Sequence, residues 1–261
     1  MNDADIDELA GLVQKARAGV VFTGAGISTE CGIPDFRSPG GFWTKYRPIA
    51  FDEFRASAET RREAWRRFFM IRAEIARARP GPAHLAVANL ARLGHVTSVI
   101  TQNIDGLHAE AGVARERIIE LHGNCTFARC LDCGTRHKLD WVRDEIDRNG
   151  DPPPCRDCGG LLKSATISFG QAMPDQAMAD ARAATLNADL FIAIGSSLQV
   201  FPAAGFPVLA TRNRTPLVII NREETGLDGL AGLVLRGECG EVLSALMARL
   251  DGCATAHDPN H

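Results

Sequence analysis

The chain has 261 residues and a formal net charge of −3 at pH 7, and 45% of its residues are hydrophobic and 23% charged. This composition is typical of a globular protein with a substantial core, built as one large domain or as a large domain with a smaller partner. Charges of both signs are interspersed and no apolar run approaches the ~20 residues that span a bilayer, which disfavours direct binding to nucleic acid and to membranes.

The first predicted elements are a helix over residues 5–18 and a strand at residues 20–22. The acidic start of the chain is unlike a targeting peptide and predicts a cytoplasmic protein. The strand ends at Gly24-Ala25-Gly26, after which a helix is predicted. A strand that leads into a helix presents backbone N–H groups and the positive end of the helix dipole to a phosphate, so this turn is a candidate nucleotide cradle. A tight turn without a ligand uses glycine as well, and this segment alone does not decide between the two.

Residues 38–79 interrupt the strand pattern. A loop at residues 38–41 is followed by residues 51–78, which are rich in Arg, Glu, Ala and Phe and contain no strand-like run, so we expect a helical insertion. Its basic and aromatic residues could contact nucleic acid. On helices, however, such residues more often form a solvated face and a core, and this is the interpretation we prefer.

Three further strands are predicted at residues 96–100, 190–194 and 217–220, the first of them after a helix over residues 83–93. Each is a continuous apolar run, as expected of parallel strands covered on both faces, and each ends abruptly in small or polar residues. Ligands of open parallel sheets bind at the carboxyl ends of the strands, so the four strand ends are predicted to form one site. The predicted fold class is α/β, a Rossmann-like doubly wound parallel sheet.

Four of the eight cysteines are paired by spacing, as Cys130-x-x-Cys133 and Cys155-x-x-Cys158. Two such turns can present four thiolates to one tetrahedral ion, which leaves no open position for water, so the pattern predicts one structural zinc. A redox dithiol pair is the alternative. The remaining cysteines are expected to pack in the core.

The predicted Rossmann-like domain is discontinuous and takes in residues 1–37, 80–124 and 163–253. The helical insertion, residues 38–79, and the zinc-binding module, residues 125–162, form the predicted small lobe. A cleft between two lobes is a favoured place for a ligand, and the strand ends would form one of its walls.

Several motifs, in this order and spacing, resemble those of the sirtuins, the NAD-dependent protein-lysine deacylases. They are residues 24–28 with 32–37, residues 101–108, Leu121-His122-Gly123, the two CxxC pairs, Phe169-Gly170 and residues 195–198. The resemblance covers nearly the whole chain. The helical insertion, with Arg47-Pro48-Ile49, has features of the class II branch of that family.

The resemblance implies which residues of the predicted site act in catalysis, in NAD binding and in substrate binding. The catalytic residues would be His122, as the base that activates a ribose hydroxyl, and Asn103. Contacts with NAD would come from Gly24, Ala25, Gly26, Ile27, Ser28, Asp35, Phe36, Arg37, Gln102, Asn103, Ile104, Asp105, Gly195, Ser196, Ser197, Asn221, Glu223 and Cys239. The acyl-lysine strand of a protein or peptide substrate would contact Ser168, Phe169, Gly170, Leu198 and Val200.

Within this set the expected roles differ along the dinucleotide. The backbone near Ala25 with Arg37 would hold the diphosphate, Phe36 would shield the reacting face, and Asp105 would hold the nicotinamide carboxamide. The adenosine would lie at residues 195–197 with its ribose at Asn221. Positioning of this kind supplies much of the catalysis, because the acyl oxygen is a weak nucleophile.

Three other functions remain open at this point. The same fold could act as a protein mono-ADP-ribosyltransferase, which would leave ADP-ribose on a target protein. A zinc-ribbon nucleic-acid-binding protein is disfavoured by the acidic net charge. A dehydrogenase is less favoured still, because nothing in the chain resembles a hydride-acceptor site.

The acyl preference depends on the helical insertion. Sirtuins that prefer malonyl- or succinyl-lysine grip the carboxylate with a Tyr and an Arg three residues apart, and the corresponding pair is Phe69 and Arg72. Because Phe69 has no hydroxyl group, we expect acetyl or longer neutral acyl groups to be preferred over succinyl. The chain also departs from the commonest family pattern at Ser164 and Gln171, which bears on the peptide side of the site.

Overall fold

A computed structural model describes residues 2–35, 41, 44 and 46–255. The predicted cofactor residues Phe36 and Arg37 therefore lie outside the described residues. Among the described residues, no helix is both long enough and apolar enough to cross a membrane.

A six-stranded parallel sheet forms the centre of the molecule. Its strands are β1 (Gly19–Thr23), β2 (Val96–Thr101), β3 (Ile118–Glu120), β7 (Leu190–Ile194), β8 (Leu217–Ile220) and β9 (Leu233–Leu235). Their order is β3-β2-β1-β7-β8-β9, so the chain builds outwards in both directions from β1. The reversal between β1 and β7 is a topological switch point, where ligands of such sheets bind. The predicted fold class is confirmed.

Alternation along the buried strands divides the core into two layers. Val21 and Ile192 face helices α1 (Asp3–Lys15), α4 (Pro82–Arg92) and α9 (Cys239–Thr255). Phe22 and Phe191 face the opposite layer, with α7 (Asp175–Asn187) and α8 (Gly205–Arg212). Successive side chains of a strand point to opposite faces, which is why the sheet is covered on both sides.

Two predicted helices have different boundaries or geometry. The opening helix begins at Asp3, where the Asn2 side chain accepts the Asp5 N–H at 3.0 Å, and ends at Lys15 rather than residue 18. The segment after Gly24 is a 3₁₀ helix, Ala25–Cys31, and not an α-helix. We refer to it as the cradle helix. Its tight geometry suits a short connection between a strand and a loop.

The small lobe combines the helical insertion with a second sheet. Helices α2 (Phe51–Ala56) and α3 (Ala58–Ile75) come first, and the antiparallel strands are β4 (Gly123–Cys130), β5 (Arg136–Lys138) and β6 (Leu162–Thr166), with α6 (Leu139–Asn149) between β5 and β6. Trp65 of α3 and Leu162 of β6 belong to one buried cluster, and Trp65 Nε1 donates to the Leu162 carbonyl oxygen at 3.3 Å. The insertion and the cysteine module thus share a core. The predicted domain boundaries, with residues 1–37, 80–124 and 163–253 in the large domain and 38–79 and 125–162 in the small lobe, stay a prediction.

The remaining elements are short connections. They are α5 (Leu107–Glu110) and the 3₁₀ helices Arg115–Arg117 and Asp228–Leu230. α5 follows the polar end of β2. The segment that joins them lies against the cradle helix, since Ser28 of that helix is hydrogen-bonded to Asp105.

Candidate active site

The ends of β1 and β7 are in backbone contact at three glycines. Gly26 donates its N–H to the Gly195 carbonyl oxygen at 2.8 Å, and Gly24 donates to that of Ile194 at 3.1 Å. A Cβ on Gly26 would lie 2.8 Å from the Gly195 oxygen, and one on Gly195 would lie 2.3 Å from the Ile27 nitrogen. The glycines therefore allow two strand ends to touch. The N–H of Gly26 is taken up by this contact, which the prediction of free cradle N–H groups did not foresee.

Polar side chains after β2 are hydrogen-bonded to the cradle helix. Asn103 Nδ2 donates to the Gly24 carbonyl oxygen at 3.1 Å and to Ser28 Oγ at 3.2 Å. Ser28 Oγ in turn donates to Asp105 Oδ2 at 2.8 Å, and the other oxygen of Asp105 accepts the Leu107 N–H at 3.0 Å. The first two strand ends are thus held in one arrangement by side chains that the sequence singled out.

Gln102 connects the end of β2 with the end of β7. Its Nε2 donates to Ser196 Oγ at 2.8 Å, and the same hydroxyl oxygen accepts the Leu198 N–H at 3.3 Å. Leu198 has a φ of 55°, in the left-handed region that residues with a Cβ seldom adopt. A backbone of this kind is held by its surroundings and is common at ligand-binding loops.

His122 lies between β3 and β4, next to the end of β2. Its Nδ1 is 2.9 Å from the Gln102 carbonyl oxygen. A carbonyl oxygen can only accept, so Nδ1 carries the hydrogen and Nε2 keeps its lone pair. Burial lowers the pKa of His122 below its ordinary 6.5, and the hydrogen bond to Gln102 offsets part of this effect. The imidazole is therefore neutral at pH 7 and can take a proton at Nε2.

His108, the other histidine of these motifs, has a supporting position. Its Nε2 is 2.9 Å from Thr23 Oγ1, and that hydroxyl donates to Thr101 Oγ1 at 2.8 Å. Burial lowers the pKa of His108 to about 3. The side chain is buried and does not line the cavity described next, so it holds the helix Leu107–Glu110 against β1.

The strand ends open into a cavity of about 630 Å³ between the large sheet and the small lobe. This volume is in the range of small-molecule and cofactor sites. The predicted site residues that line it are Gly24, Ala25, Gly26, Asp35, Gln102, Asn103, Ile104, His122, Ser168, Phe169, Gly170, Gly195, Ser196, Ser197, Val200, Asn221, Glu223 and Cys239. One cavity thus collects the ends of β1, β2, β7 and β8, as the sequence predicted.

Four other predicted site residues do not line the cavity. Ile27 is fully buried in the core of the large domain, so its side chain packs against the sheet. Ser28 and Asp105 lie behind the cradle, bonded to each other. Leu198 is buried on the opposite face of the sheet from Ile27. In this structure they contact the frame of the cavity, and their contacts with NAD or substrate stay a prediction.

The small lobe supplies the opposite wall. Trp65, Phe68 and Arg72 of α3 line the cavity. The guanidinium of Arg72 has no hydrogen bond or ion pair within the described part of the chain. Phe69, which the sequence paired with Arg72, is not in the wall. Its ring stacks on Trp65 with centroids 5.5 Å apart and lies 4.5 Å from the guanidinium carbon of Arg143.

Lys163 of β6 is a cavity residue that the sequence did not single out. Its side chain is 3% exposed, and Nζ donates to the Thr166 carbonyl oxygen at 2.5 Å. Burial lowers the pKa of Lys163 to about 7. Such shifts are common at functional sites. A single lysine outside any recognised motif carries no specific signal, which is why only the structure reveals it.

Two loops with exposed aromatic rings frame the open end of the cavity. Phe169 is 45% exposed and Phe201 71% exposed. Two hydrogen bonds hold the first loop. Ser168 donates its N–H to Gln171 Oε1 at 3.1 Å, and the Phe169 carbonyl oxygen accepts the N–H of Phe51, the first residue of α2, at 2.9 Å. The rim of the cavity is therefore partly apolar.

The four paired cysteines come together as predicted. Their sulfur atoms all lie within 4.8 Å of one another. Cys130 Sγ is 3.5 Å from Cys158 Sγ, and Cys133 Sγ is 3.7 Å from Cys155 Sγ. Four sulfurs about 2.3 Å from a tetrahedral zinc are about 3.8 Å apart, so the cluster fits structural zinc. Zinc at this place would tie the β4–β5 turn to the chain that leads into β6.

Comparisons with known proteins agree with this geometry. The model of the Sir2 family matches residues 24–202. An "NAD-dependent protein deacetylase 1" of Bradyrhizobium diazoefficiens is 56% identical over 91% of this chain and 93% of its own length. An "NAD-dependent protein deacetylase" of Rhodopseudomonas palustris is 53% identical over 91% of this chain and 94% of its own.

Solved structures give the same result. One described as "Sir2-p53 peptide-NAD+" superposes with a TM-score of 0.82 at 34% identity, covering 95% of this chain and 99% of that one. Another, "Sir2 bound to acetylated peptide", has a TM-score of 0.84 at 34% identity, with 94% and 98% covered. The chain belongs to the Sir2 family, the sirtuins.

Proposed function

We propose that this protein removes acyl groups from lysine side chains of proteins with NAD as co-substrate, and that His122 is the base of the reaction. The observation that carries the assignment is the bond between His122 Nδ1 and the Gln102 carbonyl oxygen, 2.9 Å long. It leaves a neutral imidazole with its Nε2 lone pair in a cavity walled by Gln102 and Asn103. A base in this state suits the removal of a proton from a ribose hydroxyl at neutral pH.

NAD supplies a leaving group, nicotinamide, on a ribose carbon that the acyl oxygen of the substrate can attack. The protein itself contributes position and a base. The three contacting glycines and the network of Asn103, Ser28 and Asp105 fix the backbone of the strand ends. A rigid frame of this kind converts binding into a correctly oriented encounter. His122 then takes the hydroxyl proton at Nε2 and returns it later.

The dinucleotide is expected along the strand ends. The cradle residues and Asp35 would lie at the diphosphate, and Gln102 and Asn103 at the nicotinamide ribose, with Ile104 and Asp105 at the nicotinamide carboxamide. Ser196, Ser197 and Asn221 would lie at the adenosine end. Asn221 Nδ2 donates to the Glu223 carbonyl oxygen at 2.8 Å, which orients the amide of a residue that lines the cavity.

The substrate peptide is expected in the groove between residues 168–170 and the loop after Leu198. Relatives in this family are described with acetylated and propionylated peptides. A peptide in extended conformation could bind there by main-chain hydrogen bonds, which suit many protein substrates. A cytoplasmic location and the absence of nucleic-acid and membrane partners remain predictions of the sequence.

The decisive experiment is incubation of the protein with NAD and acetyl-, octanoyl-, lipoyl- and succinyl-lysine versions of one peptide, with mass spectrometry of the products. Deacylation yields free peptide, nicotinamide and O-acyl-ADP-ribose together. ADP-ribose retained covalently on a protein, without acyl-ADP-ribose, would instead identify the mono-ADP-ribosyltransferase. A matched reaction with the His122→Ala variant separates enzymatic turnover from contamination.

A further inference from the structure

Three potential metal ligands meet at the far end of the cradle helix, outside the cavity. Glu30 and Cys31 are the last residues of the cradle helix, and His84 is in the first turn of α4. One ligand atom from each lies within 4.8 Å of the other two. None of the three lines the cavity, and none belongs to the cluster of four cysteines.

The sulfur and the imidazole are already at the spacing that a metal requires. Cys31 Sγ is 3.6 Å from His84 Nδ1. A zinc ion about 2.3 Å from sulfur and about 2.0–2.1 Å from nitrogen, with tetrahedral angles, places these two atoms about 3.6 Å apart. Neither side chain would have to move far to bind one ion.

Two glycines provide the space for the carboxylate. A Cβ on Gly81 would lie 2.6 Å from Glu30 Oε1 and 3.0 Å from Cys31 Sγ, and one on Gly240 would lie 1.9 Å from Glu30 Oε2. The place where the Glu30 carboxylate and the Cys31 sulfur approach each other is therefore open only because residue 81 has no side chain. The Ala83 N–H donates to Glu30 Oε1 at 2.9 Å, which holds the carboxylate there.

The three side chains differ in exposure, so an ion could enter from solvent at one of them and bind to a buried side chain at another. Glu30 is exposed, Cys31 is half-buried and His84 is fully buried. His84 Nε2, the ring nitrogen away from the cluster, has no hydrogen-bond partner among the described residues. When His84 binds an ion through Nδ1, its hydrogen is on Nε2.

We propose that Glu30, Cys31 and His84 form a second metal site for a zinc-like divalent ion, with water as the fourth ligand. One carboxylate, one thiolate and one imidazole are a ligand set that zinc accepts. Binding displaces the thiol proton of Cys31 to solvent and forms the bond from sulfur to the metal. The ion would link the end of the cradle helix to the first turn of α4.

The test uses full-length protein loaded with one zinc per chain, which fills the four-cysteine cluster and leaves the second site empty, and titrates it with Co²⁺. Cobalt binds such ligands more weakly than zinc, so it does not displace zinc from the four-cysteine cluster. We expect a further equivalent of bound metal and a charge-transfer absorption of one thiolate on cobalt. Cys31→Ser should abolish the absorption, whereas Cys125→Ser, which removes another buried thiol, should retain it.

Two further measurements keep the result independent of folding defects in one variant. Loss of an outer partner of a metal ligand costs about 10–100-fold in affinity, so Glu30→Gln should weaken binding by at least as much. Zn²⁺ should increase hydrogen-exchange protection of the amides of residues 25–31 in the wild type and not in Cys31→Ser. No additional metal in the wild type, or a cobalt band that persists in Cys31→Ser, would overturn the proposal.

Discussion

His122 donates its Nδ1 hydrogen to the carbonyl oxygen of Gln102 across 2.9 Å, and this bond decides which ring nitrogen is basic. The carbonyl belongs to the first residue after β2, so the tautomer is fixed by the same strand end that bears Asn103. Burial keeps the pKa of His122 below 6.5. The base is therefore available at neutral pH and somewhat below it.

The His122→Ala variant is expected to lose deacylation by about 100- to 10,000-fold, since this is the usual contribution of a general base. NAD binding should be retained, and nicotinamide exchange should survive better than product formation because exchange needs only the first step. In the wild type, kcat/KM should fall as the pH drops through the lowered pKa of His122, below 6.5. Deacylation by the variant at a rate near that of the wild type would assign the base elsewhere.

Much of the site could be predicted from local sequence. The runs that become β7 and β8 are continuous and apolar, whereas that of β2 contains Thr97 and Ser98. All three end in small or polar residues, and parallel pairing brings those ends together. The cluster of four cysteines was likewise predictable, because the spacing within each CxxC pair places two sulfur ligands on one turn. Both features are determined by residues that are close together in the sequence.

Other features depend on contacts between distant segments and could not be predicted. Because Gly26 and Gly195 approach closely, the Gly26 N–H is hydrogen-bonded to the Gly195 carbonyl oxygen and is not available to a phosphate. The rotation of α3 decides that Arg72 faces the cavity while Phe69 packs on Trp65. Lys163 becomes a cavity residue only when β6 is placed beside the insertion.

Acid is expected to destabilise the fold through its buried histidines. The pKa of His108 is lowered by burial from 6.5 to about 3, so between these values the unfolded chain binds a proton that the folded chain does not. Stability therefore falls as the pH is lowered below 6.5, by up to ~1.4 kcal/mol per pH unit for this group. Burial lowers the pKa values of His84 and His122 as well, which adds to the effect in the same direction.

Urea unfolding at a series of pH values between 7 and 5 measures this dependence. The matched variant is His108→Gln, whose side-chain amide can still donate to Thr23 Oγ1 but does not titrate. Its free energy of unfolding should depend less on pH than that of the wild type. An equal slope in both proteins would show that His108 is not the group responsible.

The protein is expected to hold one zinc per chain at Cys130, Cys133, Cys155 and Cys158. Removal of the zinc should unfold the small lobe first, because zinc binding is coupled to the folding of such modules. Metal analysis of Cys155→Ser should show loss of this zinc, with Cys125→Ser as the control from the same core cluster. Full activity and an unchanged melting temperature of Cys155→Ser would contradict a structural role.

Gly195→Ala is expected to impair both folding and NAD binding. The new Cβ would lie 2.3 Å from the Ile27 nitrogen and 2.6 Å from the Gly26 carbonyl carbon, and the φ of 59° disfavours a side chain. Overpacking of this kind costs about 1–3 kcal/mol. Gly205→Ala is the control, because a Cβ there meets no atom within 4 Å. Urea unfolding and NAD titration should distinguish the two variants. The same NAD affinity in both would show that this contact between the strand ends does not contribute to NAD binding.

The last prediction concerns the acyl group, for which we expect acetyl and longer neutral chains to be preferred over succinyl. A succinyl carboxylate in this cavity would find Arg72, but Phe69 offers no hydroxyl and its ring lies outside the wall. A missing hydrogen bond to a charged group costs roughly 1.5–3 kcal/mol, which is roughly a tenfold to hundredfold loss in preference.

The values of kcat/KM for acetyl, octanoyl, lipoyl and succinyl versions of one peptide decide the matter. Because residue 69 packs on Trp65, Phe69→Tyr should leave succinyl turnover unchanged. Arg72→Leu should reduce the residual succinyl activity more than the acetyl activity, since only the former has a charge to pair with. If the succinyl peptide is turned over fastest, or if Phe69→Tyr increases its turnover, then residue 69 does reach the acyl group and the wall of the cavity has been assigned incorrectly.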